Sequence, residues 1–133
     1  MTSLCPCCSG KDYATCCKPL HDGKGPANAL QLMRSRYSAY ACHLSDYIMA
    51  TTHPENAQYL KDRVAWKRSI SQFCLHSSFL KLEILDFQET AESATVTFTA
   101  YIRQGDRDAT FTEKSFFEKL GLRWLYRSGQ FVK

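Results

Sequence analysis

Ala94-Thr95-Val96-Thr97-Phe98-Thr99-Ala100-Tyr101-Ile102-Arg103 alternates apolar and polar side chains residue by residue. Successive side chains of a strand point to opposite faces, so this stretch predicts a strand with Ala94, Val96, Phe98, Ala100 and Ile102 on a core. Upstream, Leu80, Leu82 and Ile84 alternate with Lys81 and Glu83, and the phase slips at Leu85 and Phe87, as at a β-bulge. Downstream, Gly105-Asp106 marks a turn and a third strand is expected from about Arg107 to Lys119. Leu120-Gly121 then turns the chain into a last strand with Leu122, Trp124 and Tyr126 on one face. The second half of the chain therefore reads as an antiparallel meander.

Before about residue 78 the period is helical. Leu30, Met33, Tyr37, Tyr40, Ala41 and Leu44 recur at three- and four-residue intervals, one apolar stripe along a helix whose first turn suits Pro26. A short helix is expected from Ser45, ending by His53 because Pro54 disfavours helical geometry in the residue before it. Tyr59, Trp66, Ile70 and Phe73 mark a face of a further helix, with Lys61, Lys67 and Arg68 on its solvated side. Helices followed by a bulged meander give an α+β domain, helices packed on a curved antiparallel sheet. Such packing makes a cone-shaped interior, either filled or holding a ligand.

At 133 residues the chain suits one domain with a small appendage, and 44% apolar residues supply its core, which excludes global disorder. No apolar run reaches the roughly 20 residues of a membrane span, and the N-terminus lacks the basic and apolar segments of a signal peptide, so a soluble, cytoplasmic protein is expected. The net charge of +4 is too mild to indicate a nucleic-acid binder; its surplus sits mainly around Lys61, Arg63, Lys67 and Arg68.

The first 25 residues differ from the rest, being rich in Cys, Gly, Pro and Ser without apolar periodicity. Residues 1–25 read as a knuckle and linker, and residues 26–133 as the domain that holds the hydrophobic core. Cys5-Pro6-Cys7 and Cys16-Cys17 bracket a short loop, and four clustered thiolates in a chain without an export signal fit a closed tetrahedral Zn²⁺ site better than a disulfide framework. Cys8 is expected to be a spectator and His21 to stay outside the ligand set. Cys42 and Cys74 are expected to be small buried hydrophobes.

Two motifs carry a resemblance. Cys5-Pro6-Cys7, Ser9-Gly10-Lys11, Tyr13 and Cys16-Cys17 resemble the SEC-C motif, the zinc knuckle of the SecA translocation ATPase tail. The run Leu32-Met33-Arg34-Ser35-Arg36-Tyr37-Ser38-Ala39-Tyr40, with Asp46-Tyr47-Ile48 and Thr52-His53-Pro54, resembles the YchJ (UPF0225-like) family. The resemblance implies an NTF2-like (cystatin-like) fold for residues 26–133 and supplies no activity. Where the knuckle usually has Gly this chain has Cys8, and Asp12 and Ala14-Thr15 replace its usual lysines.

Arg34, Arg36, Tyr37, Tyr40 and His53 are the candidate pocket residues. Arg34 and Arg36 are about 200° apart around a helix, so at most one reaches the interior beside Tyr37. The other is expected to pair with a carboxylate such as Glu113 or Glu118, and His53 to cap a turn if it is not in the pocket. Catalysis on such a fold needs an acid and a base converging on one substrate, and Tyr37, Asp46 and His53 show no spacing that unites them. The leading functional expectation is an adaptor whose knuckle docks to a macromolecular partner, a translocation chaperone or the ribosome by resemblance to the SecA tail. The alternative is an NTF2-like enzyme or small-molecule-binding protein. Nucleic-acid binding has only Lys11, Tyr13 and Lys18 to support it near the knuckle.

Overall fold

A computed structural model describes residues 3–132. Among the described residues four α-helices precede the sheet: α1 (Lys18–His21), α2 (Ala29–Ala41), α3 (Ser45–Ala50) and α4 (Arg63–Leu75). The strands are β1 (Ser78–Glu89), β2 (Ser93–Gln104), β3 (Arg107–Asp108), β4 (Phe111–Leu120) and β5 (Arg123–Phe131). They form one antiparallel sheet in the order β1-β2-β4-β5, with the short β3 paired to β2. Among the described residues no helix is long and apolar enough to cross a membrane.

Ala94, Val96, Phe98, Ala100 and Ile102 are all buried, as the alternation of β2 requires. In β1 the register slips at two places, between Phe79 and Lys81 and between Ile84 and Asp86. The second slip is the bulge legible at Leu85. The first was not legible, and it turns Leu80 out to solvent. The expected third strand is interrupted into β3 and β4. Leu122 is not on the inner face with Trp124; it sits in the β4–β5 turn and is 95% exposed.

Helix α2 begins at Ala29 rather than at Pro26, because the Asn28 side chain caps it by accepting the Gln31 N–H at 2.8 Å. Its burial exceeds the apolar stripe, since Ser35, Arg36 and Ser38 are buried along with Leu32, Met33 and Tyr37. The cause is a second covering layer: the sheet takes one side of α2, while the N-terminal segment and α3 take the other. Helix α4, capped by Asp62, buries Trp66, Ile70 and Cys74, and Tyr59 packs against Trp66 from the preceding loop, its ring tilted by 53°. Cys74 is thus a core residue as expected; Cys42, at the C-terminus of α2, is exposed.

Residues 3–25 do not stand apart in packing. Cys5, Cys7 and Cys17 belong to the same buried cluster as Leu32, Tyr37, Val96 and Trp124. Three polar ties reinforce the contact. Arg34 Nη1 donates to the Cys7 carbonyl at 2.7 Å, His21 Nε2 donates to the Ser35 carbonyl at 2.8 Å, and the Leu82 N–H points at Cys8 Sγ at 3.4 Å.

Candidate metal centre and interior cavity

A tight backbone turn sets the four cysteines. Leu4 bridges Asp12, Cys5 N–H donates to the Lys11 carbonyl at 2.8 Å, and Tyr13 N–H donates to the Ser3 carbonyl at 2.9 Å. This hairpin brings Cys5 and Cys7 against Cys16 and Cys17, which follow a single 3₁₀ turn at Tyr13–Thr15. Gly10 sits in it at φ +86°, a conformation that a side chain would strain.

All four sulfurs lie within 4.8 Å of one another, with Cys7–Cys16 at 3.7 Å and Cys16–Cys17 at 3.9 Å. A tetrahedron of thiolates around one ion, with bonds of about 2.3 Å, has edges of about 3.8 Å. The donor set therefore fits a metal ion. Ser9 Oγ lies 3.2 Å from Cys16 Sγ, a hydrogen bond able to orient that ligand from outside. Contact with the Cys17 thiol draws the Cys7 thiol below its usual range, whereas burial pushes the Cys5 thiol up. Thiols that bind a metal as thiolates release their protons on binding.

Both ring nitrogens of His21 are engaged, Nε2 by Ser35 and Nδ1 by the Tyr13 hydroxyl at 2.7 Å, so His21 is a strut and not a ligand. Cys8 is exposed and outside the four-sulfur cluster. Its φ is +64°, the left-handed region, where glycine is less strained than a residue with a side chain. Cys8→Gly is expected to leave metal stoichiometry at one per chain and to leave the melting temperature level or higher, measured by native mass spectrometry and a thermal melt. Loss of the metal would make Cys8 a ligand.

A second site lies between α2, α4 and the concave sheet face, a cavity of about 290 Å³. Its walls are largely aromatic, with Phe73, Phe79, Phe98, Phe111 and Phe117 among them, and the small side chain of Ala100 leaves part of its space. Arg36, Tyr40, Gln58, Glu113, Ser115 and Tyr126 also line it. Arg36, 7% exposed, directs Nη1 to the Ile48 carbonyl and to the Thr51 and Thr52 hydroxyls at 2.8–3.1 Å, and its guanidinium lies 4.7 Å from the Tyr126 ring centre. The Tyr126 hydroxyl donates to Glu113 Oε2 at 3.1 Å, and the Ser115 hydroxyl donates to the same oxygen. Burial, together with the Glu113 charge, raises the Tyr126 phenol above its usual range, so it stays a donor.

Of the expected pocket residues, Arg36, Tyr37 and Tyr40 line this cavity together. Arg34 does not, being spent on the knuckle, and among the described residues neither arginine pairs with a carboxylate; Glu118 pairs with Arg127 instead. His53 also lies outside the cavity. Its Nδ1 accepts the Glu55 N–H at 3.0 Å, and its own N–H binds the Tyr126 carbonyl, so it caps the turn that fastens the loop after α3 onto β5. Asp46 is exposed beside Lys67, so Tyr37, Asp46 and His53 form no joint site. The Tyr37 hydroxyl is buried and, among the described residues, has no hydrogen-bond partner. Glu113 and Ser115 were missed as site residues. Their signal is the alternation of β4, where Phe111, Glu113, Ser115 and Phe117 share the inner face and two polar groups interrupt an apolar row.

A metal-fitting cysteine knuckle packed onto a helix-lined cone defines a two-part protein, an NTF2-like domain with a SEC-C knuckle. The comparisons agree: the family model "YchJ, middle NTF2-like domain" matches residues 28–129 and the SEC-C motif matches residues 1–19. The chain belongs to the YchJ family. It is 38% identical to a UPF0225 protein of Actinobacillus succinogenes over 129 residues, covering 95% of this chain and 80% of that one. The solution structure of a SEC-C motif containing protein from Rhodopseudomonas palustris superposes with a TM-score of 0.82 at 35% identity, covering 100% of both chains. A crystal structure of a SEC-C motif containing protein from Psychrobacter arcticus gives 0.73 at 26% identity, covering 97% of this chain and 80% of that one.

Proposed function

We propose that this protein binds a small organic molecule in the cone, and that a zinc ion fixes the knuckle as a structural part of the same fold. The carrying observation is the cavity of about 290 Å³ with an aromatic body and polar groups converging from α2, β4 and β5. Its size sits at the lower end of ligand pockets, and apolar walls with a few placed polar groups are their usual composition. Zinc suits four soft sulfur donors in a closed tetrahedron. All seven cysteines are free, which suits the reducing cytoplasm. With three of its four cysteines buried against the domain, the knuckle is accounted for as structure, and the ligand reading takes precedence over macromolecular docking.

Toluene is a suitable first probe because it needs only the apolar walls. Titrated into the metal-loaded, ¹⁵N-labelled protein, it is expected to give saturable one-to-one shifts confined to residues around Phe98, Ala100 and Phe117. Ala100→Leu fills the space and is expected to abolish those shifts while changing stability by less than about 1 kcal/mol, because the added methyl groups enter a void rather than a packed core. If toluene produces no saturable shifts in the wild-type protein, the proposal fails.

A further inference from the structure

The polar end of the cone contains one cation and one anion that are not paired with each other. Among the described residues, neither Arg36 nor Glu113 takes part in an ion pair. Tyr126 stands between them. The Arg36 guanidinium lies 4.7 Å from the centre of its ring, while Glu113 Oε2 accepts from its hydroxyl at the far end. The hydrogen bonds of Arg36 to Ile48, Thr51 and Thr52 all run through Nη1, with the Tyr40 hydroxyl also beside its guanidinium, and Glu113 accepts through Oε2. A guanidinium and a carboxylate that line one cavity without pairing with each other offer a ligand donors on one side and an acceptor on the other.

Gly129 shows that room for this arrangement is built into β5. It stands opposite Ser115 in the β4–β5 register. A methyl group there would come within 2.5 Å of both Glu113 Oε2 and the Tyr126 hydroxyl. Real side chains do not approach so closely, so any residue larger than glycine would push the carboxylate and the phenol out of place. Glycine in a strand marks such a close approach.

Resting on the ligand-binding reading above, we propose that the cone recognises a net-neutral group that offers one acceptor to Arg36 and one donor to Glu113, on an otherwise apolar, flat molecule. A primary carboxamide or a lactam edge has this pattern. Carboxylates are disfavoured because Glu113 faces the same space, and ammonium groups because Arg36 does.

Four ring-matched probes test this on the metal-loaded full chain: toluene, benzamide, benzoate and benzylamine, each titrated by ¹⁵N–¹H correlation spectra at neutral pH. Benzamide is expected to bind at least tenfold more tightly than the other three. In Glu113→Gln, which keeps the shape and the Ser115 and Tyr126 contacts, the order is expected to invert, with benzoate the tightest. Gly129→Ala is expected to lose the benzamide preference and to keep toluene binding, which also shows that the variant is folded. Toluene binding with benzamide no better than benzoate in the wild type would overturn the neutral-group assignment and leave the cavity reading standing. Failure of toluene itself would remove both.

Discussion

Stripping the metal, or replacing Cys7 with Ser, is expected to lower the melting temperature of the whole chain by about 15 °C, in a single transition. Cys7 and Cys17 are 0% and 1% exposed and pack with Leu32, Val96 and Trp124, so the sulfurs are part of the main core rather than of an appendage. Without the ion, the buried thiols have to rearrange among themselves. The anchors that depend on the knuckle's shape then loosen as well, Arg34 on the Cys7 carbonyl and His21 on the Ser35 carbonyl. Losing about 4 kcal/mol in this way corresponds to roughly that temperature shift for a domain of this size. Differential scanning calorimetry with and without a chelator checks it. An unchanged main transition with only a separate low-temperature event would show that residues 26–133 hold their core alone, as composition suggests.

Arg36→Met is expected to cost about 2–3 kcal/mol, near 10 °C, while Arg34→Met costs about 1 kcal/mol. Arg36 is buried and gathers the end of α3 through the Ile48 carbonyl and the Thr51 and Thr52 hydroxyls. That corner matters beyond its own bonds. Thr51 and His53 pair with the backbone of Tyr126, so the same segment seals the edge of β5 and holds Tyr126 against the cavity. Methionine preserves the stem's packing but leaves the three acceptors without their charged donor, and it removes the cation from the Tyr126 ring. Arg34 is half-buried and makes one bond to a carbonyl. Equal melting temperatures for the two variants would contradict the structural role given to Arg36.

Much of the fold was legible because period is a local property. The inner face of β2, the bulge at Leu85, and the helices around Met33 and Trp66 follow from spacing alone. Cysteine pairs bracketing a short loop were equally legible, since metal geometry demands proximity and only a short loop guarantees it. What sequence did not show was who packs against whom. The residues of α2 outside its apolar stripe carry no local sign of a cover, yet the knuckle and α3 pack on them, which is why Ser35 and Ser38 are buried and Arg34 has a carbonyl partner. Glu113 was expected only as a partner for an arginine of the helix, whereas the alternation of β4 places it on the inner face of the cone with Phe111, Ser115 and Phe117. Gly129 carries no local signal for a close approach, because the atoms it makes room for come from Glu113 on another strand and from Tyr126 beyond a bulge.

Crystals of the metal-loaded protein pressurised with xenon, with anomalous data collected for xenon and across the zinc absorption edge, test the central claim most directly. Xenon enters apolar cavities that remain empty in solution. The expected maps hold one zinc peak among Cys5, Cys7, Cys16 and Cys17, and one xenon peak between Phe98, Ala100 and Phe117. A cone closed by its own side chains, with no xenon in it, would contradict the account.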